Sequence, residues 1–355
     1  MTGQPVDLEP VTRAAGLDAA TPSERLARLD QAAAQHVETQ RPANTLKAYA
    51  QDWQVWEDYT AELGIPLLSG SIGALTGFVV WLERGRTLRP AERADPAVPE
   101  RAAPAAPSTI ERRLTGALAG LRQHQVTVDA EASRAAWRAL KGYRQRLAQE
   151  GVRRGRGKAT MVTLADLRAM SRACPDTVAG LRDRAMLLIG FPIAARSSDL
   201  ANLLVTDVTQ PDDRGLAVTV RHGKSIGDMV VPRREHPETD PVRAWRAWLS
   251  AAELGRAEPG PAFRRIDRHG NVGTQALTTA GVNQILGRAG VRAGLSYAVT
   301  GHSLRSGFAT EARRAGADDL AIADQGRWVR GSRALYEYIR RVDQWKDNAA
   351  GALDL

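Results

Sequence analysis

The stretch TGHSLRSGFATEA, residues 300–312, sets His302 and Arg305 three positions apart in a run that reads as helix. Residues at that spacing share a helix face, so the two side chains project into one neighbourhood. Alone the pair says little, because a histidine after Thr300-Gly301 is as readily a helix-start residue of no consequence. Its weight comes from what stands on either side of it.

Upstream, AARSSDL (194–200) puts Arg196 and Asp199 at a helix start, and GLAVTVRHGKSIGDMVVPRR (215–234) reads as two β runs around a glycine-containing turn that presents Lys224. Downstream, GRW (326–328) offers Trp328, and SRALYEYIRR (332–341) carries Tyr336 and Tyr338. Two residues apart on a helix is a turn of roughly 200°, so the tyrosines cannot face one pocket. Leu335, Ile339 and Val342 make an apolar stripe. Tyr338 lies about 60° to one side of Leu335, at the edge of the stripe, and Tyr336 about 100° to the other, nearer solvent.

Each residue has an ordinary reading. Arg196 can cap and salt-bridge a helix, Lys224 can be a solvated turn residue, and Trp328 can belong to a core, as is expected of Trp53, Trp56 and Trp137. The ordered combination outweighs these readings because it assembles one chemistry. Breaking a DNA backbone requires a nucleophile, charge neutralisation and a proton donor for the leaving oxygen. A tyrosine hydroxyl can supply the first and two arginine forks the second. A lysine on a hairpin can serve as the acid.

In that order these segments resemble the tyrosine recombinase, or phage integrase, family. The resemblance runs through LRDRAMLLIGFPIAARSSDLANL (181–203), HGKSIGDMVVP (222–232), TGHSLRSGFATEA and YIRRVDQWKDNAAGAL (338–353), and ANTLKAYAQDWQVWEDY (43–59) is similar to the family's helical core-binding domain. It implies a site-specific DNA recombinase that cleaves and rejoins DNA through a 3′-phosphotyrosine intermediate, without metal, ATP or other cofactor. Arg196 and Arg305 would hold the phosphate and Lys224 would protonate the leaving oxygen. His302 would bind the phosphate and move the tyrosine's proton, and Asp199 would buttress the site. Trp328 stands where many relatives have histidine, and an indole N–H can donate but not take a proton. The family's Tyr-Ile-Arg run matches from Tyr338, the expected nucleophile. A motif-level spacing of about nine residues from the His/Trp position fits neither tyrosine directly, since Tyr338 is ten after Trp328 and Tyr336 eight. Tyr336 is therefore the alternative.

The implied fold class is mostly α, with an all-helical (SAM-like) core-binding domain and an α-rich catalytic domain holding a small antiparallel sheet. The helical pattern and its breaks place a disordered tail at 1–20, the helical domain at 21–152, a basic linker at 153–159 and the catalytic domain at 160–355. GVRRGRGKA (151–159) is a poor phosphate loop, since Arg156 stands where the second glycine is required and a helix precedes it. Arg153, Arg154, Arg156, Lys158 and, in the helical domain, Lys47 are instead the expected DNA-backbone contacts. GKSIG (223–227) fits a hydrolase elbow around Ser225, but a strand-like run follows where a helix is required.

Charge agrees with a DNA partner. Residues 1–150 hold 18 Lys+Arg against 18 Asp+Glu, so residues 151–355 carry the whole net +9, and all but five of the 49 basic residues are arginines. Guanidinium suits phosphate recognition, although a GC-rich genome also writes arginine for lysine. Cys174 is the only cysteine, which excludes disulfide scaffolds and cysteine-rich zinc sites. No apolar run reaches the ~18 residues of a membrane span, and the start MTGQPVDLEPV lacks a signal-peptide pattern. The expected setting is cytoplasmic and nucleoid-associated, without a membrane. The expected partners are double-stranded DNA carrying recombination sites and three further copies in a homo-tetramer on two such sites, the tail DQWKDNAAGALDL (343–355) docking on a neighbour. Two rivals share parts of the pattern: a type IB topoisomerase-like enzyme, and a DNA-binding regulator that no longer cuts.

Overall fold

The computed structural model describes residues 21–39, 43–89, 92, 100–155, 157, 159–221, 226–255, 258–343 and 353. The chain divides into two compact units, Met1–Gly157 and Lys158–Leu355. The expected tail at 1–20, Arg156, Lys158, Lys224 and all of 344–355 except Leu353 lie outside the described residues.

The described part of the first unit is helical: α1 (Pro22–Thr39), α2 (Ala43–Leu63), α3 (Ile72–Arg84), α4 (Pro107–Gln123) and α5 (Ala130–Gln149). Helix α4 buries Ile110, Leu114, Ala117 and Leu121, the three- and four-residue spacing of a single apolar face. Helices α2 and α3 contribute Trp56, Tyr59, Phe78 and Trp81, whose rings lie 5.1–6.1 Å apart between centroids. Two of its polar edges are satisfied, Trp56 Nε1 donating to the Leu67 carbonyl at 2.8 Å and Tyr59 Oη to the Ala74 carbonyl at 3.0 Å, while Trp81 Nε1 is buried with no hydrogen-bond partner. Trp56 is fully buried, whereas Trp53 and Trp137 pack half-buried against the core.

The second unit opens with α6 (Leu164–Arg172), where Thr163 and Asp166 form a reciprocal cap, and α7 (Val178–Gly190). After the short α8 (Ser197–Asn202) come strands β1 (Val208–Asp212), β2 (Gly215–Val220) and β3 (Gly227–Pro232), an antiparallel sheet in that order. Leu216, Val218 and Val220 of β2 alternate inward with Met229 and Val231 of β3, a period-two pattern that fixes the register Val220↔Gly227. Then follow α9 (Pro241–Ala251), the ribbon β4 (Arg264–Ile266) and β5 (Val272–Ala276), α10 (Thr279–Arg292), α11 (Gly301–Arg314), α12 (Asp319–Gly326) and α13 (Arg333–Asp343).

The hairpin expected at 215–234 is β2 and β3. The pattern did not disclose β1, with its Pro211, or β4–β5, whose β5 residues are mostly exposed and so show no apolar alternation. Helix α13 seats on α11 and α12 through a small apolar cluster of Ala309, Ile322, Ala323, Leu335 and Ile339, with Trp328 and Tyr338 at its border. The Arg313 guanidinium pairs with Asp343 at 2.7 Å and holds the far end of α13 to α11.

Candidate active site

The site is built where α8 and α11 begin. Asn283 of α10 joins them, its Oδ1 accepting from Ser197 Oγ at 2.6 Å and from the Gly301 amide at 3.1 Å. A Cβ on Gly301 would lie 2.4 Å from Ser197 Oγ and 2.6 Å from the Ser197 backbone nitrogen, so only glycine permits this approach. Arg196, just before α8, and His302 and Arg305, in the first turns of α11, are thereby brought together.

Arg305 is buried. Its Nη1 donates to the carbonyls of Ala194 (2.9 Å) and Gly326 (2.7 Å), and the guanidinium carbon lies 3.8 Å from the Trp328 ring centroid. That is cation–π stacking, so the face of Trp328 has a role beyond the N–H donation its chemistry suggested. Arg305 Nη2 is buried with no hydrogen-bond partner. Burial, reinforced by the charges of Arg196 and Arg327, pushes the Arg305 pKa down to about 9, which leaves it a cation at neutral pH.

Asp199 Oδ2 accepts from the Arg196 amide at 3.1 Å and from Arg327 Nη2 at 2.6 Å, while its Oδ1 is buried and unpartnered. Partial burial of the His302 ring, then the charges of Arg305 and Arg196, lower the His302 pKa. Tyr338 Oη lies 3.1 Å from His302 Nε2. Its ring meets Trp328 and His302 edge to face, with centroids 6.4 and 6.5 Å away. Tyr336 is 59 % exposed and lines a surface groove with Leu320 and Arg330 instead.

The structure thus brings together Arg196, Asp199, His302, Arg305, Trp328 and Tyr338. Lys224 falls between β2 and β3 in the sequence and lies outside the described residues, and β3 begins at Gly227 beside the Arg327 stem. Arg153 and Arg154 are exposed after α5, and Lys47 is exposed on α2.

Residues 161–344, just over half of the chain, match the phage integrase family. The chain belongs to that family. It is 29% identical over 333 residues to an integrase/recombinase xerD homolog from Selenomonas ruminantium, covering 91% of this chain and 89% of the relative. Among solved structures it is similar to XerA recombinase at 16% identity and a TM-score of 0.41, covering 84% of this chain and 98% of that one. XerH recombinase bound to its difH substrate matches at 17% and 0.39, over 66% and 69%. A lambda integrase dimer on a COC′ core site matches at 13% and 0.40, over 89% and 87%. This phage integrase family member is accordingly a DNA cleaving–rejoining enzyme of the tyrosine recombinase class. Its mostly helical fold with small antiparallel sheets is the one its sequence led us to expect.

Two of its site residues carried no readable signal. Arg327 looks like an ordinary arginine between Gly326 and Trp328, yet it is buried against Asp199. Asn283 sits mid-helix in α10, and its joining role exists only once α8 and α11 meet. Among the described residues no helix is long and apolar enough to cross a membrane.

Proposed function

We propose that the protein is a site-specific recombinase in which Tyr338 attacks the scissile phosphate and carries the 3′ end of the cut strand as a phosphotyrosine ester. The observation that supports this best is the Tyr338–His302 hydrogen bond beside the buried, partly unpartnered Arg305 guanidinium.

With its proton on Nδ1, neutral His302 offers Nε2 to the tyrosine hydroxyl and accepts its proton as the P–O bond to tyrosine forms. Arg196 and Arg305 hold the non-bridging oxygens, where charge grows in the transition state, and Arg305 is fixed there beforehand by two carbonyls and an indole face. Lys224 protonates the 5′ oxygen as its bond to phosphorus breaks. The ester keeps the bond energy, so a 5′ hydroxyl from a second strand reverses the step without ATP. Because α13 seats on α11 of its own chain, Tyr338 acts in cis.

Exchange between two duplexes requires four cleavages, which a homo-tetramer on two DNA sites supplies. The first unit and the basic stretch at 153–158 take up the flanking backbone. The protein works where the DNA is, in the cytoplasm at the nucleoid.

A duplex selected by the protein from a random-sequence pool, remade with nicks at successive positions, tests this reading. A denaturation-resistant adduct with a blocked 3′ end and a free 5′ hydroxyl is expected. Tight binding of that duplex with no adduct at any nick would contradict it and favour a non-cutting regulator.

A further inference from the structure

Arg327 ends α12 with a left-handed backbone, φ 54° and ψ 45°, a conformation that glycine adopts freely and a residue with a Cβ resists. Residues kept in such strain cluster where geometry serves function. Here the strained residue delivers a buried cation. Arg327 Nη2 donates to Asp199 Oδ2 at 2.6 Å, Nη1 reaches Met229 Sδ of β3 at 3.1 Å, and Nε is buried without a partner. Its stem also lies 3.4 Å from where a Cβ on Gly227 would stand, so this one side chain touches α8 and the start of β3.

The Asp199 oxygen it holds is the same one that accepts the Arg196 amide. Two apolar side chains would serve stability as well as a buried ion pair does. What the pair adds is direction: the guanidinium aims the carboxylate, and the carboxylate sets the backbone that presents Arg196.

We infer that Arg327 is a positioning residue for DNA cleavage, acting through Asp199 to set Arg196 against Arg305 at the phosphate. This rests on the proposed reading of Arg196 and Arg305 as the phosphate clamp.

The test measures single-turnover cleavage, binding and melting on one nicked duplex for wild type, Arg327→Gly, Asp199→Asn, the double variant and Arg327→Lys. Arg327→Gly removes the cation while relieving the backbone, and Asp199→Asn removes the charge left behind. The double variant should fold and bind as wild type does, yet cleave about 100-fold more slowly, the scale of a misplacement near 1 Å. Arg327→Gly should cost little more in the Asp199→Asn background, and Arg327→Lys should recover part of the rate. Near-wild-type cleavage by the double variant would overturn the inference. So would additive losses, which would mean that Arg327 does not act through Asp199. If the glycine variants fail to fold, Arg327→Lys decides: slowed cleavage with unchanged binding supports the inference, and a wild-type rate overturns it. Arg196→Ala and Arg305→Ala separate the two levels. If they cleave normally, clamp and inference fall together; if they fail while the Arg327 variants do not, the inference alone falls.

Discussion

Tyr338 Oη and His302 Nε2 stand 3.1 Å apart, whereas Tyr336, two residues earlier on the same helix, points into a surface groove with Leu320 and Arg330. Burying Leu335 and Ile339 against α11 and α12 fixes the rotation of α13, and that rotation leaves only Tyr338 at the site.

The His302 bond has a pH signature. Burial and the charges of Arg305 and Arg196 lower the His302 pKa from its usual value of about 6.5. The ring therefore stays neutral, and able to accept, at pH values where a free histidine is already protonated. Cleavage should hold steady from pH 8 to below 6.5 and fall only as His302 gains its proton. His302→Gln should slow cleavage by about 100-fold and flatten that acid limb. An acid limb unchanged in the variant would assign it to another group.

Trp328 is placed to support Arg305 with its face. Trp328→Phe keeps an aromatic face and should retain cleavage within a few-fold. Trp328→Ala should cost roughly 1–2 kcal/mol of stability through the lost stacking and slow cleavage more than Trp328→Phe does. Thermal melting and single-turnover rates check both, and equal damage from the two variants would show that the indole N–H is what matters.

The meeting of α8 and α11 depends on Gly301. Gly301→Ala drives a methyl into the Ser197 backbone and should destabilise the second unit by roughly 1–3 kcal/mol, as overpacking does. Because Arg196 and Arg305 ride on the two displaced starts, cleavage should fall more than binding. Melting and a gel shift on the same duplex separate the effects.

If Arg153 and Arg154 contact phosphates, replacing both with alanine should weaken binding to every sequence alike. It should also lower the slope of log K against log salt by about 2. A change of affinity confined to one sequence would mean base reading instead.

Much of the site was legible because its residues fall in short segments in a fixed order: Arg196 and Asp199, then His302 and Arg305, then Trp328 and Tyr338. Periodicity also disclosed the α13 stripe, since Leu335 and Ile339 lie one turn apart. Spacing alone could not choose the tyrosine. Tyr338 is ten residues after Trp328, and the intervening turn carries Gly331 at φ 72°, a backbone that spacing does not reveal. Arg327 was illegible for a different reason. Arginine is rarely buried and rarely left-handed, so neither property can be inferred without seeing Asp199 beneath it. The ribbon β4–β5 was missed because exposed strands lack the apolar alternation that marks a half-buried one.

The most direct measurement compares wild type, Tyr336→Phe and Tyr338→Phe for the covalent adduct on the nicked duplex, with binding measured in parallel. The account predicts an adduct from wild type and Tyr336→Phe and none from Tyr338→Phe, all three binding alike. An adduct that survives in Tyr338→Phe and is lost in Tyr336→Phe would contradict it.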